Sequence, residues 1–401
     1  MKILWVNSSY LHPTNRGGQI RTLETLRELH KRHEIHYAAL AYPHEPEGPA
    51  RAGEYSTRNF PVMFEIVHKR SLKFLPQLVL GGLFSSLPLA ISRWRSEELR
   101  RTVAKLMREE HYDAVVCDFL VTAVNFPELE RAVLFQHNVE SIIWKRHAET
   151  APDPLRRAFF RMQERRMLRF EEASCKRAAS VIAVSETDVE TMRELFGVES
   201  TAVPTGVNLE YFRPPEQGAE RNGLVFVGSM DWLPNVDGVQ WFAKGILPRI
   251  RASQPELPVK IVGRRPAPAI QALAKADPYL EVTGTVPDVR PYLWNAAASI
   301  VPLRVGGGTR LKIYESMAAG TPVVSTSIGA EGLDVVDGET IAIADDPEEF
   351  ARRCLELVDD QVLREKMSRE AMQMVADRYS WEKVAEKFEA LLIRPGEPIR
   401  S

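Results

Sequence analysis

Residues 304–324 read RVGGGTRLKIYESMAAGTPVV, three glycines followed by an Arg, a Lys and a Glu, closing on apolar β-formers. With the preceding SIVPL the stretch spells strand, glycine turn, helix and next strand, the helix RLKIYESMAAG being stopped by Gly320. That is a βαβ unit, and it places the glycine turn just past the carboxyl end of a strand, where open α/β sheets bind ligands. Gly306, Gly307 and Gly308 let backbone approach an anion closely. Arg310 can fork two donors onto phosphate oxygens, and Lys312 adds a compact charge. Glu315, one helical turn beyond Leu311, can accept hydrogen bonds from a vicinal diol such as a ribose. In a plainer reading Lys312 and Glu315 are a surface i,i+3 ion pair worth about 0.2–0.5 kcal/mol, and the glycines are an ordinary loop.

The same grammar runs along the whole chain. Apolar runs KILWVN, EIHYAAL, FEIVHK, AVVCDF, AVLFQH and SVIAVS alternate with helical patterns before residue 190, and GLVFVGS, PVKIVG, LEVTGTV, ASIVPL, TPVVST and TIAIA do so after residue 222. Strands separated by amphipathic helices imply parallel sheets, and twelve runs are too many for one sheet of ordinary size. Two doubly wound domains are therefore expected, joined where Pro and Gly cluster in TAVPTGVNLEYFRPPEQGAERNG. The boundaries read as 1–203, 204–375 and a C-terminal segment 376–401 containing the amphipathic helix RYSWEKVAEKFEALL.

Each half opens alike. Gly17 and Gly18 precede a helix with Ile20, Leu23, Leu26 and Leu29 at three-residue steps, and Gly228 follows the strand of the second half. A glycine turn feeding a helix presents free amides and the positive end of the helix dipole to an anion, although packing glycines would look the same. His137 ends an apolar strand just before Asn138, a good helix N-cap, so it reads either as an active-site or as a structural turn histidine. Ser185 and Asp188 have the spacing of a capping box.

Composition bounds the partners. The chain has 401 residues and 52 Lys plus Arg against 54 Asp plus Glu, a formal charge of 52 − 54 = −2, so no global basic field recruits nucleic acid. Cys117, Cys175 and Cys354 are far apart, with no Cys-x-x-Cys and no Asp-x-Asp pair, which argues against disulfides and a metal site and fits a reducing cytoplasm. Leu72 to Ile91 is apolar but broken by Pro76, Gly81, Gly82 and Pro88, short of the roughly 20 continuous residues of a membrane span. With Arg156, Arg157, Arg161, Arg165, Arg166 and Arg169 on one helix, it offers a basic, apolar surface for peripheral membrane contact, or merely a solvated face.

Taken in order, GGQIRTLETLRELHKRHEIH, FQHN, VIAVSETDVETM, VPTGVNLEYF, LVFVGSMDWLPNVDGVQWF, VTGTVPDVRPYL and GGGTRLKIYESMAAGTPVVST resemble the retaining glycosyltransferases of family 4, over nearly the full length. The resemblance implies a GT-B fold, two Rossmann-like doubly wound domains facing a central cleft, with the C-terminal helix crossing back to the first domain. It implies transfer of a sugar from a UDP- or GDP-linked donor to an acceptor hydroxyl, lipid-linked in one reading, in polysaccharide or glycolipid assembly, with no cofactor and no metal. By resemblance Glu315 binds the donor ribose, while Gly307, Gly308, Thr309, Arg310, Leu311 and Lys312 lie by its diphosphate, with Gly228 beside them. Gly17 and Gly18 match a loop that closes on the phosphates, His137 a residue facing the donor sugar, and Val286 the place where backbone meets the base.

Three departures stand out. Many members carry two glutamates with seven residues between them, and Gly307 occupies the first position; Ser229 and Asn235 stand near places commonly held by Arg and Lys. These make a catalytically silent sugar-nucleotide-binding scaffold one alternative; the other, a sugar-nucleotide epimerase on the same fold, would need acid and base carboxylates facing the sugar, and Gly307 argues against it.

Overall fold

The computed structural model describes the chain apart from residues 15–16, 66–84, 150, 152, 217–220, 231, 306–310 and 393–401. It divides into two units, Met1–Pro204 with Val384–Ser401, and Thr205–Lys383. The second unit thus runs on past residue 375. The helix Gln361–Tyr379 buries Ala371, Val375 and Tyr379 in that unit's core, and Tyr379 stacks on Tyr314 at 4.1 Å.

Among the described residues the first unit holds a parallel sheet of seven strands, β1 Lys2–Asn7, β2 Glu34–Ala41, β3 Arg58–Met63, β4 Ala114–Asp118, β5 Val133–Phe135, β6 Ser180–Ala183 and β7 Thr201–Ala202. Their order is β3-β2-β1-β4-β5-β6-β7. The second unit repeats the plan with β8 Leu224–Val227, β9 Val259–Val262, β10 Leu280–Gly284, β11 Ala298–Val301, β12 Val323–Ser325 and β13 Ala342–Ile343, ordered β10-β9-β8-β11-β12-β13. In both, the chain steps outward from the first strand and then returns to its other side. The strand order therefore reverses between β1 and β4, and between β8 and β11, and each reversal opens a crevice at the carboxyl ends of those strands. Central strands are apolar throughout because helices cover both faces; Ile3, Leu4, Trp5 and Val6 have no exposed surface.

Two strands differ from the sequence reading. FEIVHK is not where β3 forms: the strand is RNFPVM, ending at Met63, and residues 66–69 of the expected run lie outside the described residues. RNFPVM contains Pro61, which β3 tolerates because it is at the sheet edge. The two-residue β7 lies in the stretch read as linker. Most of Leu72 to Ile91 also lies outside the described residues; among those described, no helix is long and apolar enough to cross a membrane.

The helix Trp381–Leu392 closes the first unit's core from Val384 onward. Phe388 is fully buried, 5.3 Å from the Trp5 ring and 5.0 Å from that of Phe135, while Glu389 pairs with Arg32 at 2.7 Å and His33 at 3.1 Å. The aromatic contact outweighs the ion pairs, since a solvent-reachable pair contributes about 0–1 kcal/mol. Phe388→Ala is expected to lower the stability of the first unit by about 3–5 kcal/mol in chemical denaturation, and Glu389→Ala by no more than about 1 kcal/mol.

Candidate functional site

The crevice of the first unit is organised by one carboxylate. Asp118, the last residue of β4, has no exposed surface. Its Oδ2 accepts from Trp5 Nε1 at 3.0 Å, Asn7 Nδ2 at 2.7 Å and Thr22 Oγ1 at 2.8 Å. Its Oδ1 lies 2.7 Å from His137 Nε2, and the other imidazole nitrogen, Nδ1, lies 3.1 Å from Arg21 Nη1. A guanidinium only donates, so Nδ1 must accept, and the ring proton therefore sits on Nε2, facing Asp118. Burial pushes the His137 imidazole below its ordinary range, Asp118 pulls it up and Arg21 pushes it down again. Burial also brings the Arg21 guanidinium down to about 10, against the pull of Asp188 and Asp118, which still leaves it charged at neutral pH.

Phe119 follows Asp118 with φ 66° and ψ 142°, a backbone conformation that normally belongs to glycine and costs a bulky residue on the order of 1–3 kcal/mol. Its ring stacks on His137 at 3.7 Å and 8°. Gly18, in the helix Gly17–His30, fits against that stack: a Cβ there would fall 2.5 Å from Phe119 Cζ and 3.6 Å from His137 Nδ1. Gly17 faces open space. Where Asn138 is the expected cap of the next helix, the Glu140 and Ser141 amides donate to the buried Glu171 carboxylate, each at 2.8 Å. Ser185 does cap its helix, accepting from the Asp188 amide at 3.1 Å and donating to the Asp188 carboxylate at 2.6 Å.

In the second unit, Lys312 and Glu315 lie on the helix Leu311–Ala318, which follows β11. Lys312 Nζ reaches back to β8: it donates to Asn235 Oδ1 at 2.8 Å, lies 4.4 Å from the Phe226 ring, and sits 2.7 Å from where a Gly228 Cβ would be. A side chain at Gly228 would displace that ammonium. The i,i+3 pair with Glu315 does not form, because Asn235 and the Phe226 face draw the lysine to the strand end. Glu315 is half-buried, and among the described residues its carboxylate has no hydrogen-bond or ion-pair partner. Burial raises its pKa and Lys312 lowers it. Leu311 opens the helix, and Val286 is partly buried, packed against the core of this unit. Gly306, Gly307, Gly308, Thr309 and Arg310 lie outside the described residues.

Sequence reasoning missed Asp118, Arg21 and Phe119. A charged residue ending the buried run AVVCD was the available signal, since a carboxylate at the end of a central strand must have partners.

Two doubly wound parallel sheets of this order, each with polar groups gathered at its switch point, define the GT-B class of fold. The chain belongs to the family 4 glycosyltransferases: the family model described as Glycosyltransferase Family 4 matches residues 15–211, and that described as Glycosyl transferases group 1 matches residues 221–360. It is 20% identical over 396 residues to the uncharacterized 44.6 kDa protein in cps region of Klebsiella pneumoniae, covering 96% of this chain and 97% of that one. It is 26% identical over 249 residues to the lipopolysaccharide core biosynthesis mannosyltransferase LpcC of Rhizobium leguminosarum bv. viciae, covering 58% and 69%. The structure of Anabaena HepE in complex with UDP-glucose superposes with a TM-score of 0.62 at 13% identity, over 98% of this chain and 99% of that one.

The His137 arrangement is directly measurable. At pH 6.5, where an ordinary imidazole is half protonated, His137 is expected to remain neutral with its proton on Nε2 in long-range ¹H–¹⁵N correlation spectra. Because its folded pKa lies below the unfolded value, its contribution to stability is present above about pH 6.5 and is lost as pH falls through the folded pKa. The stability of His137→Gln should accordingly depend less on pH below that value than that of the wild type.

Proposed function

We propose that this glycosyltransferase is a retaining, metal-independent enzyme that moves a sugar from a UDP- or GDP-linked donor to a hydroxyl of a polysaccharide or glycolipid acceptor. The observation that carries the reading is Glu315, a half-buried carboxylate near Lys312 on the helix that follows β11, with no hydrogen-bond or ion-pair partner among the described residues. Such a group stays solvated or waits for donors, and a ribose diol supplies two. UDP-glucose bound to Anabaena HepE, on the same fold, supports a nucleotide-sugar donor, and the name of the Rhizobium relative supports a lipopolysaccharide-like product.

In this reading Glu315 holds the ribose, Val286 lies by the base, and Lys312 with Arg310 and the amides of Gly307, Gly308 and Thr309 receives the diphosphate. As the sugar–phosphate bond breaks, negative charge grows on the leaving diphosphate. In this reading the two cations and the loop amides stabilise that charge without a divalent ion. The acceptor oxygen then bonds to the anomeric carbon on the same face from which the leaving group departs, its proton passing to a donor phosphate oxygen, so the anomeric configuration is retained. Gly17, Gly18 and His137 belong to the sugar side of the donor in this reading, His137 as a neutral group fixed by Asp118 and Arg21. Arg161, Arg165 and Arg169, exposed on the helix Pro154–Arg177 with Leu155 at 85% exposure, suit a peripheral contact with an anionic membrane face that would present a lipid-linked acceptor on the cytoplasmic side.

Calorimetric titration with UDP and GDP tests the reading. One of the two should bind, and Glu315→Ala and Lys312→Ala should each weaken it about tenfold, or about 1.4 kcal/mol. Binding of neither nucleotide, or binding indifferent to both changes, would overturn it. Sugar transfer should survive chelation by EDTA at full rate, and a retained anomeric configuration should be visible by NMR of the product.

A further inference from the structure

The two cationic positions that family members commonly place after the first strand of this half are Ser229 and Asn235 in this chain, so the charge facing a donor diphosphate must come from elsewhere. Asn235 accepts from Lys312 Nζ at 2.8 Å and donates through Nδ2 to the Ser229 carbonyl at 2.8 Å. Ser229 is engaged from the opposite side. Arg264, two residues past β9, donates from Nε to Ser229 Oγ at 2.8 Å, while its own carbonyl accepts from the Met230 amide at 3.0 Å. The turns that carry them are in backbone contact, since a Cβ at Gly263 would overlap the Gly228 carbonyl oxygen. The Gly228–Ser229 turn is therefore bracketed by Lys312 on the β11 side and Arg264 on the β9 side. Arg264 is exposed, and among the described residues no carboxylate pairs with it.

We propose that Arg264 is a diphosphate-binding residue of the donor site, supplying from the β9 turn the guanidinium that Ser229 does not, and that Ser229 is the positioning residue that holds it. This rests on the reading of the second unit as the nucleotide-sugar-binding half. The geometry favours it for a physical reason. Nε is held by the Ser229 hydroxyl, so the planar group is oriented before ligand arrives, and both terminal nitrogens remain to donate to phosphate oxygens. Two other arginines of this unit lack that arrangement: Arg304 is already tied to Asp237 at 2.6 and 3.1 Å, and Arg290 to Asp288.

The test is calorimetry on the full chain with whichever of UDP and GDP the wild type binds. Arg264→Ala should weaken that nucleoside diphosphate at least tenfold, and Arg304→Ala, which removes a nearby charge already neutralised by Asp237, should change it less than twofold. Ser229→Ala should weaken it severalfold, with Ser229→Thr, which keeps the hydroxyl, restoring most of the loss. An Arg264→Ala protein that binds like the wild type while Glu315→Ala does not would overturn this inference and leave the donor-site reading standing. Equal losses in Arg264→Ala and Arg304→Ala would also overturn it, as a general field effect. A wild type that binds neither nucleotide would overturn both.

Discussion

A carboxylate with no solvent exposure, Asp118, is the interaction on which the first unit's crevice depends. Burying an ionised group costs several kcal/mol unless its lone pairs are filled. Here Trp5 and Asn7 of β1, Thr22 of the first helix and His137 beyond β5 fill them, so the ends of three elements are tied to one point. The tie is strong in one direction: losing the carboxylate would strand four buried donors together, each without water to replace it. It also decides the chemistry of His137. Held between an acceptor and an obligate donor, the imidazole is set in one tautomer and is poorly suited to shuttle protons, so its part is to present a fixed polar surface under the Phe119 stack.

The second unit reaches an analogous place with opposite charge. Its strand-end turn is built around a cation, Lys312, accommodated by the absence of a side chain at Gly228 and steadied by Asn235 and the Phe226 face. The carboxylate that shares its helix, Glu315, has no hydrogen-bond or ion-pair partner among the described residues. A carboxylate and an ammonium three residues apart on a helix can pair; here the lysine turns to the strand end instead, at the cost of a weak pair worth only a few tenths of a kcal/mol. The two units thus use one strand order to present different groups at the same topological point.

The helix Trp381–Leu392 shows how chain order and packing part company. Most of it is grouped with the first unit although it follows the second in sequence, and Phe388 completes an aromatic cluster begun at Trp5. The first unit's core is therefore finished only when the last helix is in place.

Much of this was legible in the linear chain. Alternation of apolar runs with helical periods dictates two parallel α/β sheets, because a strand buried on both faces must be apolar throughout and its crossover must be a helix. Glycines at the strand ends and the Lys312 and Glu315 positions were visible as local motifs, and Ser185 with Asp188 as a cap, since such signals live within a few residues. What the chain could not show is whatever joins distant segments. RNFPVM is a strand only because it lies at an edge that tolerates Pro61; Asp118 matters only because Trp5, Thr22 and His137 converge on it; Arg264 meets Ser229 only because β9 lies beside β8. Pattern and propensity act over one or two helical turns and so are written in sequence, whereas the partner of a buried charge is chosen by which strand ends the topology sets side by side.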